Sequence, residues 1–563
     1  MTSGKQFNVD RFLVDLGTFS TYRIRVYFIA NICWITLVWS MLVQAFQSYN
    51  IPHKCVFDDT AHEHLNWLNA TNEVDVLSQQ CSIEVNLTAL NTTEQFSILC
   101  GTNFSHIEFD TTHGESLVSE FHLVCSLANQ ATVSTIGSCF MIGVLVGAFA
   151  LTPPADMFGR RWVLLLCLIA QGPISLAIAF VRNLVMIGIL RFLGGVLYSG
   201  ILLVSWVMTC EIVPAHQRSY ASLLGGIVWS LGYVILAALA YLLPNWRQLQ
   251  IAISVPSVLY FLYYWFLPES LAWLSSQRKH DLVAKEAARA VKLSNRRMLK
   301  AEDYFEAQQI PNRRQPFKSV VVSLCRAPLL TIYCIIMAFI WAVDVLVYYG
   351  LSLFSVDFSE NRYVSFGLSG GIEIFSYILQ CVAMSKLGRK LTTIATHSIT
   401  GGVLIVLAFL PESTGTSLAI TVFRMILFLT GKFTITIAFM GIMLYTAELF
   451  PTSLRSIGCG IPSIVSRAAG ILVPYIGFLA AVSKSLPPLI FGILSISSAA
   501  IAFLLPETRG RKLTDSINEK IPVISVLDKC FPQRDKTDIL LTPVVTKPLK
   551  QTSQIKFSSS DIN

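Results

Sequence analysis

Twelve apolar runs govern what this chain can fold into. They occupy residues 24–46, 131–151, 162–181, 184–208, 221–242, 248–267, 328–349, 364–384, 391–410, 418–446, 457–480 and 486–505. Most exceed the roughly 18 residues that a helix needs to cross a bilayer. In hydrocarbon a helix satisfies its own backbone N–H and C=O groups, so each run reads as a spanning helix. Only 13% of the 563 residues are charged, against about 25% in a soluble domain, so lipid must be the solvent for much of the surface. The net charge of +8 does not point to nucleic acid, because the basic residues sit in short loops rather than on one folded face. A signal peptide is not expected, since the first run follows a polar, charged segment and lacks a small-residue cleavage site. The fold class is an all-α membrane protein with twelve transmembrane helices.

Charge asymmetry sets the expected orientation. Residues 48–130 hold one basic residue, Lys54, against eleven acidic ones, whereas 268–326 holds twelve Lys/Arg. Arg160 and Arg161, Arg218, and Lys386, Arg389 and Lys390 mark further basic turns on the side of 268–326. The positive-inside rule then places both termini in the cytosol and 48–130 outside; the expected location is the plasma membrane. Four N-x-S/T sequons, at Asn69, Asn86, Asn91 and Asn103, all fall in that outside loop, as glycosylation acceptors would. The same loop holds Cys55, Cys81, Cys100 and Cys125, an even count suited to two disulfides of three possible connectivities. His53, His62 and His64 lack metal-ligand spacing, and a polar loop is the better reading.

The chain also repeats itself. "EIVPAHQR" at 211–218 returns as "ELFPTSLR" at 448–455, "GRR" at 159–161 as "GRK" at 388–390, "LPES" at 267–270 as "LPET" at 505–508, and Arg191 as Arg424. The anchors recur in order at a nearly constant offset, so the chain is two six-helix halves of like orientation. Its parts are a cytosolic N-terminus (1–23), an N-terminal half (24–267) carrying loop 48–130, a cytosolic helical loop (268–326), a C-terminal half (327–505) and a cytosolic tail (506–563). Transporters of this design bind substrate between the halves near mid-membrane and rock one half against the other. In each repeat the acid ends a helix and proline prevents its continuation. Glu211, Arg218, Glu448 and Arg455, with Arg160, Arg161, Arg389 and Lys390 of the basic turns, are expected to form cytosolic ion pairs that close when the path faces outward. Basic turns acting only as topology signals are the competing reading.

Several stretches carry a resemblance: "SLVSEFHLVCS" (116–126), "LPESLAWLSSQRK" (267–279), "YYGLSL" (348–353), "YTAELFPTSLRSIG" (445–458) and "LPETRGRKL" (505–513). With the sequon-bearing first loop, they resemble the organic cation, anion and zwitterion transporter family of the major facilitator superfamily, over about residues 20–515. The resemblance implies the major facilitator fold, with its halves in pseudo-twofold arrangement. One departure is the first-half turn "TPPADMFGRR", where Thr152 and Met157 stand in place of the family's glycine and first arginine; Ser385 stands where an aspartate is common in the second half.

Charges within helices are costly, about 2.5–3.5 kcal/mol at the centre on insertion scales, and usually face a cavity or a partner. Those here are Arg191, Asp344, Glu373, Arg424, Lys432 and Arg467. The repetition of Arg191 and Arg424 suggests a structural or coupling duty. Asp344, three residues after Trp341 and four before Tyr348, shares a helix face with both, an acid-and-aromatic setting suited to an ammonium group. Glu373 adds a second acid. Lys432 and Arg467 supply bases, and a guanidinium grips a carboxylate through two parallel hydrogen bonds. The resemblance adds that arginine at the position of Arg467 goes with anion and carnitine-type members. Trp206, Tyr349 and Phe439 complete the candidate substrate residues. Glu373–Arg467 and Asp344–Lys432 as internal ion pairs are the structural alternative. The expected function is polyspecific organic cation or zwitterion transport of carnitine type, with organic anion exchange as the rival.

No nucleotide-binding loop is present: "GKFT" (431–434) lacks the preceding glycine pattern. Transport is therefore expected to run on a substrate or ion gradient, Na+ or H+, or downhill. "GLSGG" (367–371) satisfies G-x-S-x-G only formally, within a membrane helix. No enzyme activity, cofactor or metal is expected. The partners are a small organic ion and the bilayer. The loop "HDLVAKEAARAVKL" reads as a short amphipathic helix, with bases able to rest on anionic headgroups, and the tail beyond about 520 as disordered.

Overall fold

The computed structural model describes residues 5–509 apart from 18, 50, 58–72, 79–81, 90–91, 100–104, 111–113, 214–217, 296–299, 308–323, 326, 358–360, 412–417 and 452–453. Asn69, Asn91, Asn103, Cys81, Cys100, His62, His64 and the tail from 510 lie outside the described residues, as do the side chains of Asn86, Cys55 and Arg218.

Twelve helical spans account for most of the chain. In the first half they are α1 (Thr21–Leu42, continued by Gln44–Gln47), α2 (Leu127–Phe158), α3 (Arg160–Ile178), α4 (Leu184–Ile212), α5 (Arg218–Leu242) and α6 (Trp246–Val258, prolonged through Leu259–Leu262 to Phe266). In the second they are α7 (Pro328–Phe354), α8 (Arg362–Lys386), α9 (Arg389–Phe409), α10 (Leu418–Leu449), α11 (Arg455–Gly470, continued by Val473–Val482) and α12 (Leu486–Ala502). Ten are long and apolar enough to cross a membrane by themselves. The run read as one span over 457–480 is interrupted at Ile471 and Leu472, just before Pro474. Proline lacks the N–H that would continue the ladder. Phe149, Leu166, Phe375 and Phe409 project from the bundle, as side chains in contact with lipid do.

Glycines allow close approach where two helices cross. A Cβ at Gly143 of α2 would strike the Phe192 carbonyl of α4, and one at Gly195 of α4 would strike the Phe140 carbonyl of α2. Small residues of this kind let helices pack backbone to backbone within a membrane.

The described residues of the loop between α1 and α2 are mostly strands, with one helical turn at Leu117–Glu120. His53–Phe57 pairs antiparallel with Ser105–Phe109, and Glu73–Ser78, Ser82–Ala89 and Thr92–Leu99 form a three-stranded antiparallel sheet. The segment "SIEVNLTA" alternates apolar and polar residues, the period of a half-buried strand. Cys125 at the base of this loop is disulfide-bonded. We call this the loop end of the bundle. At the opposite, turn end, Leu271–Ser276 and His280–Leu293 form two helices, and Lys5–Phe7 pairs with Phe305–Ala307. Phe7, Phe12, Trp273, Val283 and Tyr304 share one core there. The N-terminal segment is thereby clipped to the connector between the halves.

Hydrogen bonds and ring contacts between the two halves, among the described residues, run from mid-depth to the loop end. Ser138 Oγ donates to the Ile471 carbonyl (2.8 Å), Ser134 Oγ to that of Pro474 (3.1 Å) and Ser230 Oγ to that of Gly370 (2.6 Å). Tyr363 stacks on Phe46 at 5.8 Å, and Arg362 lies 3.8 Å over the Tyr49 ring. These contacts seal the loop end in this conformation.

Candidate functional site

Where the halves meet, α7, α8 and α10 bring an acid, a base and aromatic rings together. Glu373 (α8) and Lys432 (α10) are fully buried, with Nζ 2.8 Å from Oε1. At that distance the ammonium and carboxylate make a buried charge-assisted contact. Lys432 also donates to Ser352 Oγ (2.5 Å) and the Tyr348 carbonyl (3.4 Å). Glu373 Oε2 accepts from Tyr348 (3.1 Å) and Tyr377 (3.2 Å). From the first half, Trp229 Nε1 donates to the Tyr348 hydroxyl at 3.0 Å. Tyr348 stacks on Phe439 at 5.0 Å and meets Tyr349 edge-on at 5.1 Å, and the Lys432 ammonium lies 3.6 Å from its ring centroid. The aromatic face that the sequence reading gave to a substrate cation is thus occupied by the chain's own lysine.

Arg467 (α11) differs from these groups. It is half-buried and has no carboxylate at ion-pair distance among the described residues. Its electrostatic neighbours are Tyr349 of the second half and Tyr198 of the first. The Tyr349 ring lies 6.2 Å from that of Phe439. Arg467 therefore stands at the seam between the halves, beside the aromatic group, as an uncompensated positive charge.

Three expectations need correction. Glu373 pairs with Lys432, not Arg467, because α8 and α10 pack directly against one another. Asp344 does not reach Lys432 or the aromatic group; it lies 3.4 Å from His397 of α9, both fully buried. Trp341 donates to Thr446 (2.9 Å) and packs in the second-half core with Tyr445 and Leu449. Asp344 and Trp341 thus turn into the second half and leave the substrate face. Trp206 is half-buried, its ring 6.0 Å from that of Trp34.

The repeated motifs build one brace in each half. Arg160 Nη2 contacts Asp156 (2.9 Å) and Glu211 (3.2 Å), and Arg389 Nη2 contacts Glu448 (2.7 Å). Asp156 lies in the turn where Thr152 and Met157 depart from the family pattern. Nη1 of each arginine reaches a carbonyl of the preceding helix, Ala155 or Met384. The acids of "LPES" and "LPET" then cap the helices that follow. Glu269 accepts from the backbone N–H of Arg160 and Arg161, and Glu507 from those of Arg389 and Lys390. A carboxylate at a helix N-terminus satisfies orphan donors and complements the macrodipole. Gly159 (φ +112°) and Gly388 (φ +95°) make the turn, and a Cβ at Gly388 would lie 2.5 Å from Glu507 Oε2. Burial pushes the Glu269 carboxyl up. At Glu507 burial acts the same way, but four backbone N–H groups outweigh it and hold the carboxyl below its ordinary range.

Every one of these pairs lies within a single half, and each is formed while the loop end is closed. They brace their own halves and do not span the gap between them. Arg161 donates to the Tyr264 carbonyl and Lys390 to that of Phe503. Arg455 Nε and Nη2 have no hydrogen-bond partner. Arg191 is held by the Ser40 carbonyl and Gln47, and Arg424 by the Leu410 and Pro411 carbonyls (both 2.8 Å), so both serve the packing of their own halves.

Residues 98–474 match the family model described as Major Facilitator Superfamily. This chain belongs to that superfamily. Within it the chain is a member of solute carrier family 22. It is 32% identical to solute carrier family 22 member 3 of Mus musculus over 81% of this chain and 80% of the relative. It is 35% identical to member 13 of Homo sapiens over 72% and 71%, and 28% identical to the organic cation transporter protein of Drosophila melanogaster over 91% and 94%. Its fold is similar to that of the xylose transporter XylE from E. coli in a partially occluded inward-open conformation, with TM-score 0.58 at 14% identity, covering 88% of this chain and all of that one. The protein is a multi-pass membrane transporter of that family and not an enzyme.

Sequence reasoning missed several parts of this family 22 transporter. His397 is ionisable within an apolar run and was open to the same argument as Asp344. Tyr198, Tyr233 and Tyr377 gave no signal, because a tyrosine in an apolar run is equally at home in packing. The acids of "LPES" and "LPET" were visible as a repeat, but their capping role needs the spatial return of α6 to α3 and of α12 to α9.

Proposed function

We propose that this transporter carries organic solutes bearing a carboxylate, which docks on Arg467, and that it works by alternating access without ATP hydrolysis. One observation carries the reading. Lys432 neutralises Glu373 and covers the Tyr348 face, which leaves Arg467 as the uncompensated charge at the seam. A carboxylate supplies the missing charge and takes two parallel hydrogen bonds from the guanidinium. An organic cation finds no free acid there. A second reading, carnitine-type zwitterion transport, is favoured by Tyr349, a neighbour of Arg467, and by Phe439, whose ring lies 6.2 Å from that of Tyr349; both offer faces to a quaternary ammonium.

The charge asymmetry of the loops supports both termini in the cytosol of the plasma membrane, with the loop end outside. On that topology the structure faces inward. The four sequons are then glycosylation acceptors, and Cys55, Cys81, Cys100 and Cys125 make two extracellular disulfides. An Na+ or H+ gradient is a further energy source to test.

Expressing cells offered an aromatic carboxylate, carnitine and tetraethylammonium, with and without sodium, separate these readings. The carboxylate is taken up, and Arg467→Asp weakens it by about 10- to 100-fold, the equivalent of one charge-assisted contact. Uptake of carboxylates that is indifferent to Arg467→Asp refutes the assignment.

A further inference from the structure

We propose that Asp344 and His397 form a proton-binding site inside the second half, and that the proton they hold is coupled to the transport cycle. The inference rests on the chain being a transporter but not on Arg467 as its substrate residue.

The pair is fully enclosed, with Asp344 Oδ1 3.4 Å from His397 Nε2. Both carboxylate oxygens and both ring nitrogens lack a hydrogen-bond partner. A buried carboxylate without donors is strongly disfavoured unless it is neutralised. Two serines of α12, Ser495 and Ser498, are likewise fully buried with unpartnered hydroxyls. Close contacts set their level. Gly492 meets Ile405 and Gly401 meets Ile496, so α12 runs antiparallel to α9, while Gly350 of α7 meets Phe491. Following those registers brings Ser495 and Ser498 to the depth of His397 and Asp344. One layer of α7, α9 and α12 therefore holds an acid, an imidazole and two hydroxyls, all without partners.

Among the described residues no other charge is available to settle the carboxylate. Lys432 of α10 is engaged by Glu373 of α8 and by Ser352. Arg467 of α11 neighbours Tyr198 and Tyr349, and Arg455 lies at the turn end near Cys459. On α9 itself Arg389 is bound to Glu448, and α12 carries no ionisable residue. His397 is thus the group that can neutralise Asp344, and it does so only with a proton.

The step is a simple transfer. The unprotonated pair, carboxylate plus neutral imidazole, takes one proton from water on one side and becomes a neutral ion pair or its carboxyl–imidazole tautomer. The same proton leaves to water on the other side, and no other bond changes. The enclosed half tolerates the protonated pair and resists the unprotonated one, so closure requires the proton on board. Asp344 lies four residues, about 6 Å along the helix, from Tyr348, which binds Glu373 and carries the carbonyl that Lys432 contacts. A shift of α7 on protonation reaches the seam directly.

The test begins without substrate. Infrared difference spectra of the purified full-length transporter across a pH step should contain a carboxyl band and an imidazole band. Both are lost in Asp344→Asn, and the imidazole band in His397→Gln; the second variant carries the test if the first fails to fold. In proteoliposomes, a gradient of one pH unit should then drive at most about tenfold accumulation per coupled proton. Asp344→Asn should abolish accumulation while equilibrium exchange persists. Spectra of the parent protein identical to those of both variants overturn the proposal. So does accumulation driven by sodium and indifferent to pH. Neither result touches the Arg467 reading, which is judged by the uptake panel.

Discussion

Removing the Lys432 charge should be among the most damaging single changes in this protein, and removing its partner as well should undo much of the harm. Both groups are fully buried at 2.8 Å. Lys432→Met leaves Glu373 with two tyrosine hydroxyls, at 3.1 and 3.2 Å, and no counter-charge. Breaking a buried pair in this way costs about 3–5 kcal/mol, whereas replacing both members by well-packed neutral groups is often neutral. Glu373→Gln with Lys432→Met should therefore recover most of the loss, a coupling of about 3 kcal/mol in the double-mutant cycle. The assay is thermal unfolding of the detergent-purified variants, with surface abundance in cells as a second readout. Additive single changes, or a stronger coupling of Glu373 to Arg467 than to Lys432, would refute the pairing and with it the claim that Arg467 is uncompensated.

Two further outcomes follow from the braces. Glu448→Gln removes the negative charge facing Arg389 and leaves one oxygen where Arg389 and Thr508 now have two. It should lower thermal stability by about 1–3 kcal/mol and reduce surface abundance in step with total uptake; slowed turnover per molecule at unchanged abundance would favour a gating role instead. Because its backbone donors hold the Glu507 carboxyl below its ordinary range, this cap contributes stability at pH above about 4.3. That contribution is lost as pH falls through the depressed value, and Glu507→Gln should flatten the acid limb of the melting curve; an unchanged limb in the variant contradicts the role.

What could be read from the sequence followed physical range. Twelve spans and two halves were legible because hydrophobic length and repeated motifs are properties of contiguous sequence. The loop sheet was less so: "EVDVLS" and "SIEVNLTA" alternate, but polar sequons and acids dominated their reading. Charges in the membrane were found, yet their partners were not. Helical spacing put Asp344 beside Tyr348, but four residues advance a helix by about 400°, enough for Asp344 to turn toward α9 while Tyr348 meets α8. Which helices surround α7 is a long-range fact that no local pattern encodes. Arg467 was singled out through family resemblance, whereas its lack of a counter-ion became visible only once Lys432 was seen to take Glu373.

Movement of the two halves against one another about the Arg467 seam underlies the whole account, and a cross-link on the sealed loop end tests it directly. Ser138 of α2 donates to the Ile471 carbonyl of α11 at 2.8 Å, and the Ile471 side chain packs against the first-half core, which makes these two positions the choice for paired cysteines. Oxidation of the Ser138→Cys, Ile471→Cys variant should halt uptake, and reductant should restore it. Uptake at the uncross-linked rate, with the disulfide shown to be complete, would contradict the account.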